Sequence, residues 1–223
     1  STLGTAPSTL VSTEYGYVAG RVFLGEDLWL TSNTGRILHT NDRGATWKSY
    51  FSPVDDFSGE DSSASMSFSS SKYGLLVDNT AVLWFTEDSG ANWDVMSSNS
   101  YYDGDISYIP GSNGIFLSTG FSSASELGVG SAYSKDNGKT WTKIDDGQQR
   151  LFIGAYDCKS VWVGHYTSDT KGTGGVLKLN DIPGCTLATT EQTATKVELK
   201  AVVNGGTLNV ISNKEIKSVL VGD

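Results

Sequence analysis

One eight-residue phrase occurs three times in this chain and constrains its fold more than any other feature. It reads Thr40-Asn41-Asp42-Arg43-Gly44-Ala45-Thr46-Trp47, then Thr86-Glu87-Asp88-Ser89-Gly90-Ala91-Asn92-Trp93, then Ser134-Lys135-Asp136-Asn137-Gly138-Lys139-Thr140-Trp141. The aspartates lie 46 and 48 residues apart. A phrase that returns at that period marks a structural repeat of blade size.

Around each phrase, apolar residues alternate with the two-residue period of a strand. The first unit carries Leu28–Ser32, Arg36–Thr40 and Trp47–Phe51, with an opening strand between Glu14 and Phe23. The second carries Ala64–Phe68, Tyr73–Val77, Ala81–Phe85 and Asn92–Met96; the third Asp105–Ile109, Gly114–Ser118, Gly130–Ser134 and Thr140–Ile144. Four short β-rich runs separated by Gly, Asn, Asp and Ser read as a four-stranded antiparallel unit. The phrase falls between the third and fourth strands. There the Asp carboxylate can accept N–H bonds from its own turn, and the Gly can take a positive φ. The Trp is expected to begin the fourth strand and pack between blades.

A fourth unit follows, with Leu151–Tyr156, Ser160–Tyr166 and Gly175–Leu179, but it has no phrase and no evident fourth strand. Composition agrees with an all-β reading: only 18% of residues are charged, and Gly numbers 26. No apolar run approaches the roughly 20 residues of a spanning helix. No charged-then-apolar leader begins at Ser1, which reads as a mature form or a fragment. The net charge of −9 repels phosphate backbones and argues against a nucleic-acid partner. Cys158 and Cys185, the only cysteines, are expected to form a disulfide, the alternative being two reduced thiols. His39 and His165 complete no metal-ligand spacing, so neither metal nor cofactor is expected.

The phrase resembles the Asp-box, or BNR repeat, of sialidases, sortilin-type receptors, some endoglucanases and photosystem-assembly-factor-like propellers. That resemblance implies an Asp-box β-propeller of about four recognisable four-stranded blades over residues 1–185. A linker and β tail fill residues 186–223. It also implies that Asp42, Gly44, Trp47, Asp88, Gly90, Trp93, Asp136, Gly138 and Trp141 are structural, not catalytic or calcium-binding. Asp-box propellers usually have six or more blades. Three readings therefore stay open: part of a larger propeller, a closed four-bladed ring, or two copies sharing one ring. The tail, with Thr195–Val210 and Ile216–Asp223, resembles the start of a type IX secretion sorting domain, which implies a secreted or cell-surface protein. The alternative is that Val197–Val210 supplies closing strands to the last blade.

Antiparallel blades put the one–two and three–four turns on one face of the disc. Ligand loops then lie on the other: 52–63, 97–104, 121–130, 145–150 and 167–174. They offer Asp55, Asp56, Glu60 and Asp61 in an acidic stretch. Tyr101, Tyr102, Asp103 and Asp105 combine aromatics with carboxylates, as carbohydrate sites often do; Glu126 stands in the longest intrablade loop, and Arg150 enters the fourth blade. Trp84 and Trp162 read as core. In sialidases three arginines bind the substrate carboxylate; of Arg21, Arg36, Arg43 and Arg150, Arg43 lies inside a phrase on the wrong face, which leaves too few in suitable places, so a complete sialidase site on this chain alone is not expected. A two-carboxylate glycosidase stays open by counting. The expectation is a binding module for a glycan or protein ligand. The alternatives are part of an Asp-box glycoside hydrolase and an assembly-factor-like scaffold.

Overall fold

A computed structural model describes residues 11–59, 62–122, 124–166, 174–180 and 182–185, with the backbone of two further strands near the C-terminus. The first sheet comprises β1 (Gly16–Leu24), β2 (Asp27–Ser32), β3 (Arg36–Thr40) and β4 (Lys48–Phe51). The second comprises β5 (Ala64–Phe68), β6 (Gly74–Asp78), β7 (Leu83–Thr86) and β8 (Asp94–Val95). The third comprises β9 (Asp105–Tyr108), β10 (Phe116–Gly120), β11 (Gly130–Ser134) and β12 (Thr142–Asp146). Each is a meander whose strands pair in sequence order and antiparallel. The fourth has three strands: β13 (Arg150–Asp157), β14 (Ser160–His165) and β15 (Gly175–Leu179). The architecture is an all-β, four-sheet β-propeller arrangement.

The first strand of each sheet is innermost. β1 packs on β5, β5 on β9 and β9 on β13, and no comparable packing returns from β13 to β1 among the described residues. The cores lie between successive sheets. Trp29, Ile37, Phe68 and Leu76 fill the first gap, and Leu75, Val77, Ile106 and Phe116 the second. Ile115, Leu117, Tyr133 and Val161 fill the third. Leu75 and Leu76 are adjacent yet serve different cores, because successive side chains leave opposite faces of a strand. Sheet two is covered on both sides, so β6 is buried along its whole length. Each fully buried Leu or Ile contributes about 1.5–3 kcal/mol.

The repeated tryptophans stand just before the fourth strands, not at their first residue. Trp47, Trp93 and Trp141 donate Nε1–H to the carbonyls of Gly44, Gly90 and Gly138 at 3.2, 3.1 and 2.9 Å. That bond folds each indole back over its own turn, so ladder pairing begins one or more residues later. β8 has two residues where alternation suggests five.

Cys158 and Cys185 are bonded, with Cα atoms 5.5 Å apart. The bridge joins the β13–β14 turn to the segment after β15, closing a sheet that has three strands among the described residues. Residues Ser1–Ala188 form one compact unit and Thr189–Asp223 another. Within the second, β16 (Ala201–Asn204) and β17 (Thr207–Val210) form an antiparallel hairpin. The expectations for 167–173, for Glu60 and Asp61, and for Ile216–Asp223 lie outside the described residues.

Candidate functional site

The three phrases share one hydrogen-bond pattern. Asp42 accepts the backbone N–H of Thr46 at 2.8 Å and its hydroxyl at 2.6 Å, and the Thr40 hydroxyl at 2.7 Å. Asp88 does the same with Asn92 and Thr86, and Asp136 with Thr140 and Ser134. These bonds hold the Asp42 carboxyl down at about 2. For Asp88 and Asp136 burial works upward, but the bonds from the turn outweigh it and the net shift is downward. Each glycine has φ near +90°, and the residue before it is also left-handed: Arg43 at 58°, Ser89 at 68°, Asn137 at 59°. That second left-handed residue was not legible in the sequence, because no fixed residue type marks it.

The same turns receive the one–two hairpins of their own sheets. Arg43 N–H donates to Glu26 O, Ser89 to Lys72 O and Asn137 to Gly114 O. Both sets of turns thus share one face, and the acidic and aromatic loops occupy the other.

On that second face the candidates separate into two groups. Tyr101 and Tyr102 are buried, and their hydroxyls donate to the backbone carbonyls of Ala81 at 2.7 Å and Asp145 at 3.2 Å. Asp105 is half-buried and accepts from Ser65 Oγ at 2.6 Å, Ile106 N at 2.9 Å and Ile153 N at 2.7 Å. Its carboxyl stitches the inner strands of three sheets, and burial pushes it above the usual carboxylate range against those bonds. Arg150 is buried and donates through Nε and Nη2 to Asp145 Oδ2, each at 3.0 Å. Its Nη1 lies 2.5 Å from His165 Nδ1, which is also 3.2 Å from the carbonyl of Gln149.

The remaining candidates are accessible to varying degrees. Asp55 and Glu126 are exposed. Asp56 accepts the Tyr17 hydroxyl at 2.5 Å and the Ser58 N–H at 3.0 Å. Burial and that bond push the Tyr17 phenol upward. Asp103 accepts the Ser125 hydroxyl and lines a recess of about 480 Å³ with Ser63, Asn79, Phe121 and Ser122. A groove of about 520 Å³ runs along the axis between the inner strands, lined by Arg21, Ser65, Ser67, Asp105, Tyr108 and Ile153 among others. Tyr17, Ser65 and Ser67 were missed in the sequence, since isolated Ser and Tyr on strands carry no signal of their neighbours. No cluster of three or more His, Cys, Asp or Glu suited to a metal occurs among the described residues. No helix is long and apolar enough to cross a membrane.

Trp84 is half-buried, with Nε1 donating to Asp78 Oδ2 at 2.8 Å. Trp162, read as core from its strand position, is instead 38% exposed on the outer face of the fourth sheet.

No known family's sequence profile matches the chain, and no curated protein sequence matches it. Solved structures do resemble it. A GH74 enzyme from Niastella koreensis superposes with a TM-score of 0.51 at 12% identity, over 89% of this chain and 30% of that one. YCF48 bound to D1 peptide gives 0.45 at 14% identity, over 77% of this chain and 56% of that one. YCF48 from Cyanidioschyzon merolae gives 0.44 at 16% identity, over 77% and 55%. The chain thus spans little more than half the length of the YCF48 structures and less than a third of the GH74 enzyme. At these identities the likeness concerns the fold alone.

Proposed function

We propose that this chain is an exported Asp-box β-propeller interaction module that holds a basic, extended segment of a partner protein. Binding takes place on the face opposite the repeated phrases. The observation that carries this reading is the recess beside Asp103. It combines an apolar wall at Phe121 with hydroxyl and amide groups from Ser63, Ser122, Ser125 and Asn79. Exposed Asp55 and Glu126 belong to loops of the same face. Acidic groups at the edge of a concave polar surface attract cationic side chains and steer their approach.

A polypeptide ligand is favoured over a glycan by the fate of the aromatic cluster. Tyr101 and Tyr102 are consumed by the core and offer no ring on which a sugar can stack. A binding role is favoured over hydrolysis by the carboxylates. Asp105 is saturated by three donors, and Asp103 and Asp56 each hold a hydroxyl. The disulfide supports an oxidising compartment, and export through a type IX-like tail is part of the same reading.

Fluorescence anisotropy with labelled lysine-rich, glutamate-rich and neutral peptides tests it, alongside neutral oligosaccharides. Saturable binding of the lysine-rich peptide, weakened by salt and by Asp103→Asn with Glu126→Gln, is expected. Oligosaccharide binding or turnover without peptide binding would overturn it.

A further inference from the structure

Among the described residues, the first and fourth sheets each keep one face that no neighbouring sheet covers. On the fourth, Phe152, Tyr156, Trp162 and Val176 point away from the third sheet and are 52%, 76%, 38% and 61% exposed. On the first, Phe23 and Phe51 are both 67% exposed. They share the face turned from the second sheet with half-buried Leu28, Leu30 and Leu38. Apolar faces of this kind mark interaction surfaces.

Strand register identifies what each face matches. Trp29 is the third residue of β2, and Trp162 is the third residue of β14, each after a two-residue turn from its inner strand. Both point in the same rotational sense, away from the preceding sheet. Phe23 pairs with Leu28, and Phe68 pairs with Gly74, each immediately before the residue (Trp29 or Leu75) that faces the next sheet. Trp162 therefore corresponds to Trp29, and Phe23 to Phe68.

Inside the chain, that pair builds the first junction. Trp29 stacks on Phe68 with centroids 3.9 Å apart and planes 8° from parallel. Its Nε1–H donates to Ser89 O, in the second phrase, at 3.0 Å. At the next junction the Tyr73 hydroxyl donates to the equivalent carbonyl, Asn137 O, at 2.7 Å. The equivalent carbonyl of the first phrase belongs to Arg43 and has no such bond among the described residues. The glycines repeat the contrast. Gly90 faces Phe68 and Ile37 beside its own Trp93, and Gly138 faces Leu75, whereas the nearest atoms to Gly44 belong to its own Trp47.

We propose that a second copy of this chain docks head-to-tail, the fourth sheet of one copy against the first sheet of the other. Trp162 then stacks on the partner's Phe23 and donates to the carbonyl of the partner's Arg43, as Trp29 does with Phe68 and Ser89 within one chain. A second copy is the occupant because both halves of the junction lie on this one chain and continue its internal sheet-to-sheet interface. Such an interface is heterologous, and closes when the rotation permits. Two copies with two junctions place eight sheets around one axis, within the range of propellers. The axial groove, bordered by β1 and β13, is then enclosed by the partner.

Sedimentation across a concentration series tests this. The 223-residue chain is expected at twice 23.8 kDa. Trp162→Glu and Phe23→Glu, each alone, should give the 23.8 kDa species with cooperative unfolding retained. Mixing the two variants should restore a 1:1 dimer, because one keeps the first-sheet face and the other the fourth-sheet face. Trp162→Phe keeps the stack but not the N–H donor, and should weaken association about fivefold to tenfold. This milder variant serves if the glutamate variants fail to fold. Larger species that both glutamate substitutions reduce to one copy also support the junction, in its non-closing form. A wild-type chain that stays at 23.8 kDa at every concentration, or a dimer indifferent to all three substitutions, overturns it.

Discussion

The Asp105 carboxylate accepts the backbone N–H of Ile153 at 2.7 Å, joining the inner strand of the third sheet to that of the fourth. Its other oxygen takes the Ser65 hydroxyl from the second sheet and the N–H of Ile106. Every one of these partners is a donor toward the acid. Asp105→Asn must turn an NH₂ group toward at least one of them, leaving a buried donor facing a donor. A loss of about 1–3 kcal/mol is expected, read as a lower urea midpoint with an unchanged slope. An unchanged midpoint would show that the stitch contributes nothing.

The repeated turns should loosen in acid. Asp42 titrates at about 2 instead of 3.8, because Thr46 and Thr40 hydrogen-bond its charged form. A depressed carboxylate contributes stability above its unfolded pKa and loses it as pH falls through the folded value. The window therefore runs from about pH 4 down to about 2. Carboxyl carbon chemical shifts should give a midpoint near 2 for Asp42 and lowered midpoints for Asp88 and Asp136. An Asp42 midpoint at 3.8 would contradict the hydrogen-bond account.

Trp29→Phe keeps a ring between His39 and Phe68 but removes the N–H that serves Ser89 O. A carbonyl in a packed junction then loses its partner. Destabilisation of about 1–3 kcal/mol is expected from chemical denaturation. Trp84→Phe, which frees Asp78 Oδ2, provides an independent comparison, because Asp78 keeps three other bonds.

Removing the Cys158–Cys185 bridge should act chiefly on the fourth sheet. The cysteines are 27 residues apart and enclose β14 and β15. A closed loop of this size stabilises by about 3.5 kcal/mol in the chain-entropy account. Reduction, or Cys158→Ser with Cys185→Ser, should speed amide exchange in β14 and β15 while β6 and β10 stay protected. Equal acceleration in all sheets would mean that the bridge supports the fold as a whole.

The sequence by itself determined the elements. Alternation placed β3, β5, β11 and β15 at their observed bounds, and the repeated phrase placed three turns, because both signals are local and carried by residue type. The hairpin role of Asp42, Asp88 and Asp136 was legible for the same reason: donor and acceptor lie within four residues of each other.

Only the tertiary structure decided which face each strand residue presents and what lies opposite. Asp103 and Asp105 are two residues apart and read alike, yet one lines a recess in the loops while the other spends its carboxylate on donors from three inner strands. Trp84 and Trp162 also read alike. Trp84 is half-buried because it packs against the core between the first two sheets, and Trp162 is exposed because, among the described residues, no sheet follows its own. A strand's alternation fixes that its faces differ. Whether a face is core, site or junction depends on which sheet comes next, and that is a long-range fact no local pattern records.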